Sequence, residues 1–241
     1  MFDLAARDDL EALRARYAAS GRVHVPGVLV PEQARVLAEH LAGRSDWRLI
    51  FNRGDELFEF DQAARARISP AQLAGLQAAV ENAGRQAFQY HYENIRVPDR
   101  AAERAVHADL LTRLADFLNS APFLGFARRL LACDDITFAD CQATCYRRGH
   151  FLNTHDDGVA GKNRVAAYVL NLTPGWRAEW GGQLQFLGAD GHVAEAFVPQ
   201  FNALNLLRVP QPHLVGMVTT LAPHDARRVS ITGWLRRGAP P

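Results

Sequence analysis

Six short runs of β-branched, aromatic and leucine-rich sequence lie between residues 163 and 236, and no other feature restricts the fold so tightly. They span 165–172, 183–187, 192–198, 203–208, 214–220 and 229–235, with Gly, Pro, Asn or Asp residues between them. Short strands at such spacing, punctuated by turn residues, mark a β-sandwich or barrel. A further strand-like stretch, 136–146, leads into the turn Arg147-Arg148-Gly149.

The first 130 residues carry a different pattern. Segments 8–18, 31–42, 70–88 and 107–131 hold Ala, Leu, Arg and Glu at helical spacing, and Val30-Pro31 and Ser69-Pro70 are helix-start signals. These helices are expected to buttress one sheet, with 47–51 and 57–60 as an outer strand pair. No linker or low-complexity segment divides the chain. The reading is therefore a single domain over 1–241, α+β but mainly β, with a helical N-terminal half (1–134) and a β-rich core (135–237).

Composition removes several function classes. With 48% hydrophobic and 22% charged residues the chain has material for a core and no signature of disorder. No apolar stretch is long enough for a membrane span, and the N-terminus lacks a basic start followed by an apolar run, so a cytoplasmic protein is expected. A net charge of +1 provides no global field for nucleic acid, which is not expected as a partner. Cys133, Cys141 and Cys145 are odd in number, and Cys141 and Cys145 share strand parity. They read as reduced core cysteines rather than a disulfide framework or a zinc site.

The chemistry is carried by His155-Asp156-Asp157. In an extended segment residues i and i+2 point to one side, so His155 and Asp157 address a common point while Asp156 turns away. One histidine from a distant strand would complete a 2-His-1-carboxylate face and leave open positions for a co-substrate and dioxygen, as suits a non-haem Fe(II) oxygenase. Three histidines follow Gly181-Gly182. His192 sits in the hairpin-tip signal Asp190-Gly191-His192. His224 lies in a polar loop four residues before Arg228, and His213 opens an apolar run after Pro210-Gln211-Pro212.

Tyr146 nine positions before His155, the stretch Trp180-Gly181-Gly182-Gln183-Leu184, His213, and Arg228 six positions before Trp234 form a combination that resembles the prolyl 4-hydroxylase-like branch of the Fe(II)/2-oxoglutarate dioxygenases, over about residues 136–236. The His-Asp-Asp triplet and the Trp-Gly-Gly-x-Leu stretch are most similar to the ribosomal-protein prolyl hydroxylases and their bacterial relatives. This resemblance implies a double-stranded β-helix, or jelly roll, with His155, Asp157 and His213 as the Fe(II) ligands. It also implies that Arg228, with Tyr146 and Thr232, meets the 2-oxoglutarate carboxylate, and that Asn171 stands where many relatives have a tyrosine. Strand parity selects Arg228 over Arg227, because Arg228, Ser230, Thr232 and Trp234 share a face. A planar guanidinium grips a carboxylate through two parallel bonds. Gln142 and Thr144 share the face of Tyr146.

The expected reaction uses Fe(II), 2-oxoglutarate and O2 to hydroxylate an unactivated C–H bond, with release of succinate and CO2. A prolyl residue of a protein or peptide is the expected substrate, and a small free metabolite or amino acid is the alternative. Arg147, Arg148, the loop 156–163 and the segment 176–180 are candidates for the mouth of the site. Two other classes stand beside this reading. A cupin-like, non-oxidative metal site would not call for Arg228 and Tyr146 behind the metal, and a non-catalytic binding module would not need an intact triad.

Overall fold

A computed structural model describes residues 2–107 and 109–238. Its N-terminal half supplies α1 (Leu10–Ser20), β1 (Arg22–Val25), α2 (Pro31–Ala42), β2 (Arg48–Arg53), β3 (Glu56–Phe60), α3 (Gln62–Ala66), α4 (Pro70–Gly84), β4 (Tyr90–Arg96), α5 (Ala101–Val106), α6 (Leu110–Leu118) and α7 (Ala121–Leu131). The C-terminal half supplies β5 (Phe138–Ala139), β6 (Gln142–Tyr146), β7 (Phe151–His155), β8 (Arg164–Asn171), β9 (Leu184–Leu187), β10 (Val193–Phe197), β11 (Ala203–Arg208), β12 (His213–Val215) and β13 (Arg228–Arg236).

The strands pair antiparallel in the order β1-β11-β8-β13-β6-β4-β7-β12-β9-β10, with the β2–β3 hairpin on β4 and β5 on β13. β4 holds the two faces together: Glu93–Arg96 pair with β6, while Tyr90 and His91 pair with β7. The result is a nearly closed, jelly-roll-like barrel, as the strand-rich C-terminal sequence leads one to expect.

Period-two burial separates the two sides of the larger face. Ala143 and Cys145 of β6, Tyr168 and Leu170 of β8, Leu204 and Leu206 of β11 and Ile231 of β13 pack outward against α1, α2, α6 and α7. Their neighbours Tyr146, Ala167 and Leu207 turn inward with Phe186 and Val215. Cys141 and Cys145 lie in the helix-side core, where burial pushes their thiols up to about 12 and about 11. Cys133 is only half-buried.

Several boundaries differ from those read in the sequence. The expected 107–131 helix is two, because Pro122 starts α7 and Asp109 caps α6 through the Thr112 amide (2.8 Å). Asn119 uses the break to bond both backbone groups of Ala139, at 2.8 and 3.0 Å. Helix α4 stops at Gly84 rather than Phe88, since Asn153 takes the Gly84 carbonyl at 2.8 Å and the Phe151 ring fills the space a side chain at Gly84 would need. The 136–146 stretch divides at Asp140, and the 214–220 run is a strand only from His213 to Val215. The N-terminal 134 residues are not only helical. Besides the expected β2–β3 pair they contribute β1 and β4 to the sheet.

Candidate active site

Three side chains meet at one end of the barrel. His155 closes β7, His213 opens β12 directly opposite it in register, and Asp157 follows β7 by two residues. Asp157 Oδ1 lies 3.7 Å from His155 Nε2, and its Oδ2 lies 3.5 Å from His213 Nε2. All three ligand atoms fall within 4.8 Å of one another, and no second group of three such side chains occurs among the described residues. The extended-strand argument for His155 and Asp157 needs correction. Asp157 has φ +62°, so the carboxylate is aimed by a left-handed turn and not by strand alternation. Arg164 supports that turn, donating to the Asp157 carbonyl at 2.9 Å while its guanidinium stacks 3.5 Å from the Trp234 ring. Asp156 is exposed, as expected, and accepts from the Gly158 amide.

Both imidazoles are set up as ligands. His155 Nδ1 lies 2.8 Å from the Asn153 carbonyl and His213 Nδ1 lies 2.7 Å from the Gln211 carbonyl, so each Nδ1 carries the proton and each Nε2 presents a lone pair to the Asp157 side. Burial, and then the nearby His155, lower the His213 pKa to about 4, which keeps the ring neutral. Two imidazoles and one carboxylate on one face, with the other face open, suit a ferrous ion.

Arg228 lies behind this triad on β13. It is 2% exposed, and among the described residues no carboxylate forms an ion pair with it. Its Nη1 reaches only Ser230 Oγ at 3.5 Å, its Nε has no partner, and its guanidinium sits 5.0 Å from the Tyr146 ring. Burial lowers its pKa from the usual arginine value, the expected direction for a cation without a counter-ion. Gly182, at φ +71°, makes room for it: a Cβ there would stand 3.0 Å from Arg228 Cδ. Arg227 faces the other way, over Trp47 and onto the Ala42 carbonyl, in line with the parity argument.

A cavity of about 90 Å³ joins the triad to Arg228. Tyr146, Gln142, Thr144 and Thr232 line one side, and Leu152, Leu184, Leu207 and Val215 the other. The structure does not bring Asn171 to it. The inward positions of β8 at the cavity are Ala167 and Val169, and Asn171, one step further along, turns to the Ala203 carbonyl at 3.5 Å. Val169, two residues earlier on the same face, lines the cavity instead. His192 is exposed at the β9–β10 tip, and His224 is exposed beside Arg148. Among the expected mouth residues, Arg147 pairs with buried Glu93 and Arg148 with the Ala222 carbonyl; Trp176 packs into the inner core. A groove of about 580 Å³ adjoins the cavity and shares Tyr92, Gln142, Gly233 and Trp234 with it. Tyr92 escaped the sequence reading, although the alternation Tyr90-His91-Tyr92-Glu93-Asn94 carries a strand signal.

Residues 141–236 match the family described as the 2OG-Fe(II) oxygenase superfamily. Among curated proteins, the mouse (Mus musculus) prolyl 3-hydroxylase OGFOD1 is 29% identical over 100 residues, which are 39% of this chain and only 18% of that protein. A Pseudomonas putida prolyl-4-hydroxylase has a similar structure at 21% identity, with a TM-score of 0.60 over 95% of this chain and 100% of that one. A prolyl hydroxylase from Trichoplax adhaerens, in complex with a hypoxia inducible factor oxygen degradation domain peptide fragment, is similar at 18% identity, with a TM-score of 0.57 over 95% and 89%. At these identities the structural likenesses speak for the fold. Residues 141–236 thus correspond to a 2OG-Fe(II) oxygenase domain, a family that uses Fe(II), 2-oxoglutarate and O2.

Proposed function

We propose that this chain hydroxylates a prolyl residue of a protein or peptide, with His155, Asp157 and His213 holding Fe(II) and Arg228 holding 2-oxoglutarate. The observation that carries the proposal is Arg228 itself, a buried cation without a carboxylate, facing the triad across a cavity lined by apolar and hydroxyl-bearing side chains. A buried charge is expensive unless paired, so its retention there points to an anion supplied from outside. A dicarboxylate reaching from Arg228 to the metal would satisfy both ends. Bound iron, 2-oxoglutarate and dioxygen together supply the oxidation, in which one oxygen atom ends in succinate as CO2 leaves and the other in the substrate C–H bond.

The protein's own part is positional. The Asn153 and Gln211 carbonyls fix the two imidazoles, and Arg164 holds the turn that aims Asp157. Leu184, Leu207 and Val215 keep water from the co-substrate. The groove beside Trp234 receives the substrate, and its length along β4 suits an extended segment better than a compact metabolite. The peptide complex of the Trichoplax relative and the prolyl 3-hydroxylase similarity support a prolyl target. Peptide masses from cells with and without the gene test it: a prolyl peptide that loses a one-oxygen increase in the deleted strain supports the reading. If the only species to lose an oxygen is a soluble metabolite, the substrate is small and free.

A further inference from the structure

We propose that Tyr92 is a co-substrate-binding residue, whose phenolic hydroxyl, delivered from the N-terminal strand β4, bonds the keto-acid end of 2-oxoglutarate and separates the cavity from the substrate groove. The inference rests on the functional reading above. It starts from what β8 lacks. Ala167 and Val169 present no polar side-chain atom to the cavity, Asn171 does not reach it, and the Tyr168 hydroxyl is turned to the Asp140 carbonyl, so β8 offers the cavity no polar side-chain group.

A phenol nonetheless stands there from another direction. β4 pairs with β6 so that Glu93 opposes Cys145, which sets Tyr92 beside Tyr146 on the inner face. The two rings stack, with centroids 5.1 Å apart and an interplanar angle of 14°. The Arg228 guanidinium lies 5.0 Å from the Tyr146 ring. Arg228, Tyr146 and Tyr92 therefore form successive layers along one wall, and a dicarboxylate anchored at Arg228 has its far end at the level of Tyr92. Burial raises the pKa of both phenols, so each remains a hydrogen-bond donor, and both feel the charge of Asp157 at the metal end. Tyr146 is also influenced by Arg228, whereas Tyr92 is influenced by Tyr90, Arg96 and a hydrogen bond with the Gln142 side chain. Tyr92 also lines the groove, so a single ring meets co-substrate on one side and substrate on the other.

The test is calorimetric titration of 2-oxoglutarate into Mn(II)-loaded protein, with wild type, Tyr92→Phe and Tyr146→Phe compared. Phenylalanine keeps the stack and removes the hydroxyl together with its bond to Gln142, so the melting temperature reads a structural role separately from 2-oxoglutarate binding. Loss of a hydrogen bond to a charged group predicts about tenfold weaker binding in Tyr92→Phe, with Mn(II) affinity and melting temperature unchanged. A dissociation constant within about twofold of wild type would overturn the proposal while leaving Arg228 as the anchor. Absence of 2-oxoglutarate binding in the wild type itself would overturn the functional reading beneath it.

Discussion

The two ends of the cavity are built on opposite principles. At the metal end every side chain is held: two backbone carbonyls orient the imidazoles, Arg164 braces Asp157, and the three ligand atoms converge within 4.8 Å. At the other end Arg228 is buried yet has no counter-charge among the described residues. One end is organised by satisfied hydrogen bonds and the other by an unsatisfied charge. The first sets geometry in advance, and the second stores an electrostatic demand that only an anionic ligand meets.

Breaking the organised end has the largest effect. His155→Ala, Asp157→Ala or His213→Ala should abolish iron-dependent turnover of 2-oxoglutarate and reduce Mn(II) affinity more than about 100-fold, beyond what loss of an outer partner costs. Calorimetry of metal binding checks this, and wild-type affinity in the His213 variant would contradict the third ligand. Breaking the unsatisfied end produces the opposite pairing of effects. Arg228→Met should weaken 2-oxoglutarate by at least about tenfold, through loss of a desolvated charge partner worth roughly 2–5 kcal/mol, with metal affinity unchanged. Because the ligand-free protein carries that cation at a cost, its melting temperature should hold or rise. A large fall in melting temperature would mean that Arg228 is already satisfied.

Smaller changes sharpen the contrast. Arg164→Ala removes the brace on a left-handed aspartate and should lower metal affinity by roughly 10–100-fold, with circular dichroism unaltered. Acid acts on a third region. His91 and His150 are buried with centroids 4.4 Å apart, and burial lowers His91 to about 4 and His150 well below its usual value. Both are neutral in the fold, so below about pH 6.5 the unfolded chain binds more protons than the native one, and stability falls as pH drops from there towards 4. Denaturant titrations across that window should show a slope that His91→Phe or His150→Phe reduces. His192→Ala and His224→Ala, exposed and remote from the triad, should change neither metal nor co-substrate binding.

How much of this was legible in the sequence depended on whether the deciding contacts were local. Along β13, alternation alone separated Arg228 and Thr232 from Arg227 and Ile231, because one strand's parity needs no partner. The same held for Tyr146 against Cys145. Asp157 reached its place for a different reason from the one read, since a single left-handed residue cannot be inferred from composition. Asn171 was on the correct face but beyond the cavity, which Ala167 and Val169 of the same strand line. Tyr92 was invisible for the same cause. Its role depends on β4 bridging the two sheets, a pairing between residues about fifty positions apart that no periodicity reports. The split of the 107–131 helix was the most readable omission, as Pro122 stood in the middle of the run.

The central claim is that the organised metal end and the unsatisfied arginine end are two halves of one binding site. Anaerobic titration of 2-oxoglutarate, with and without Fe(II), into wild type and Arg228→Met tests it most directly. The account predicts one site per chain whose affinity requires both the metal and the arginine, each contributing at least about tenfold. Affinity that survives removal of either one, or binding that ignores Fe(II) altogether, would contradict it.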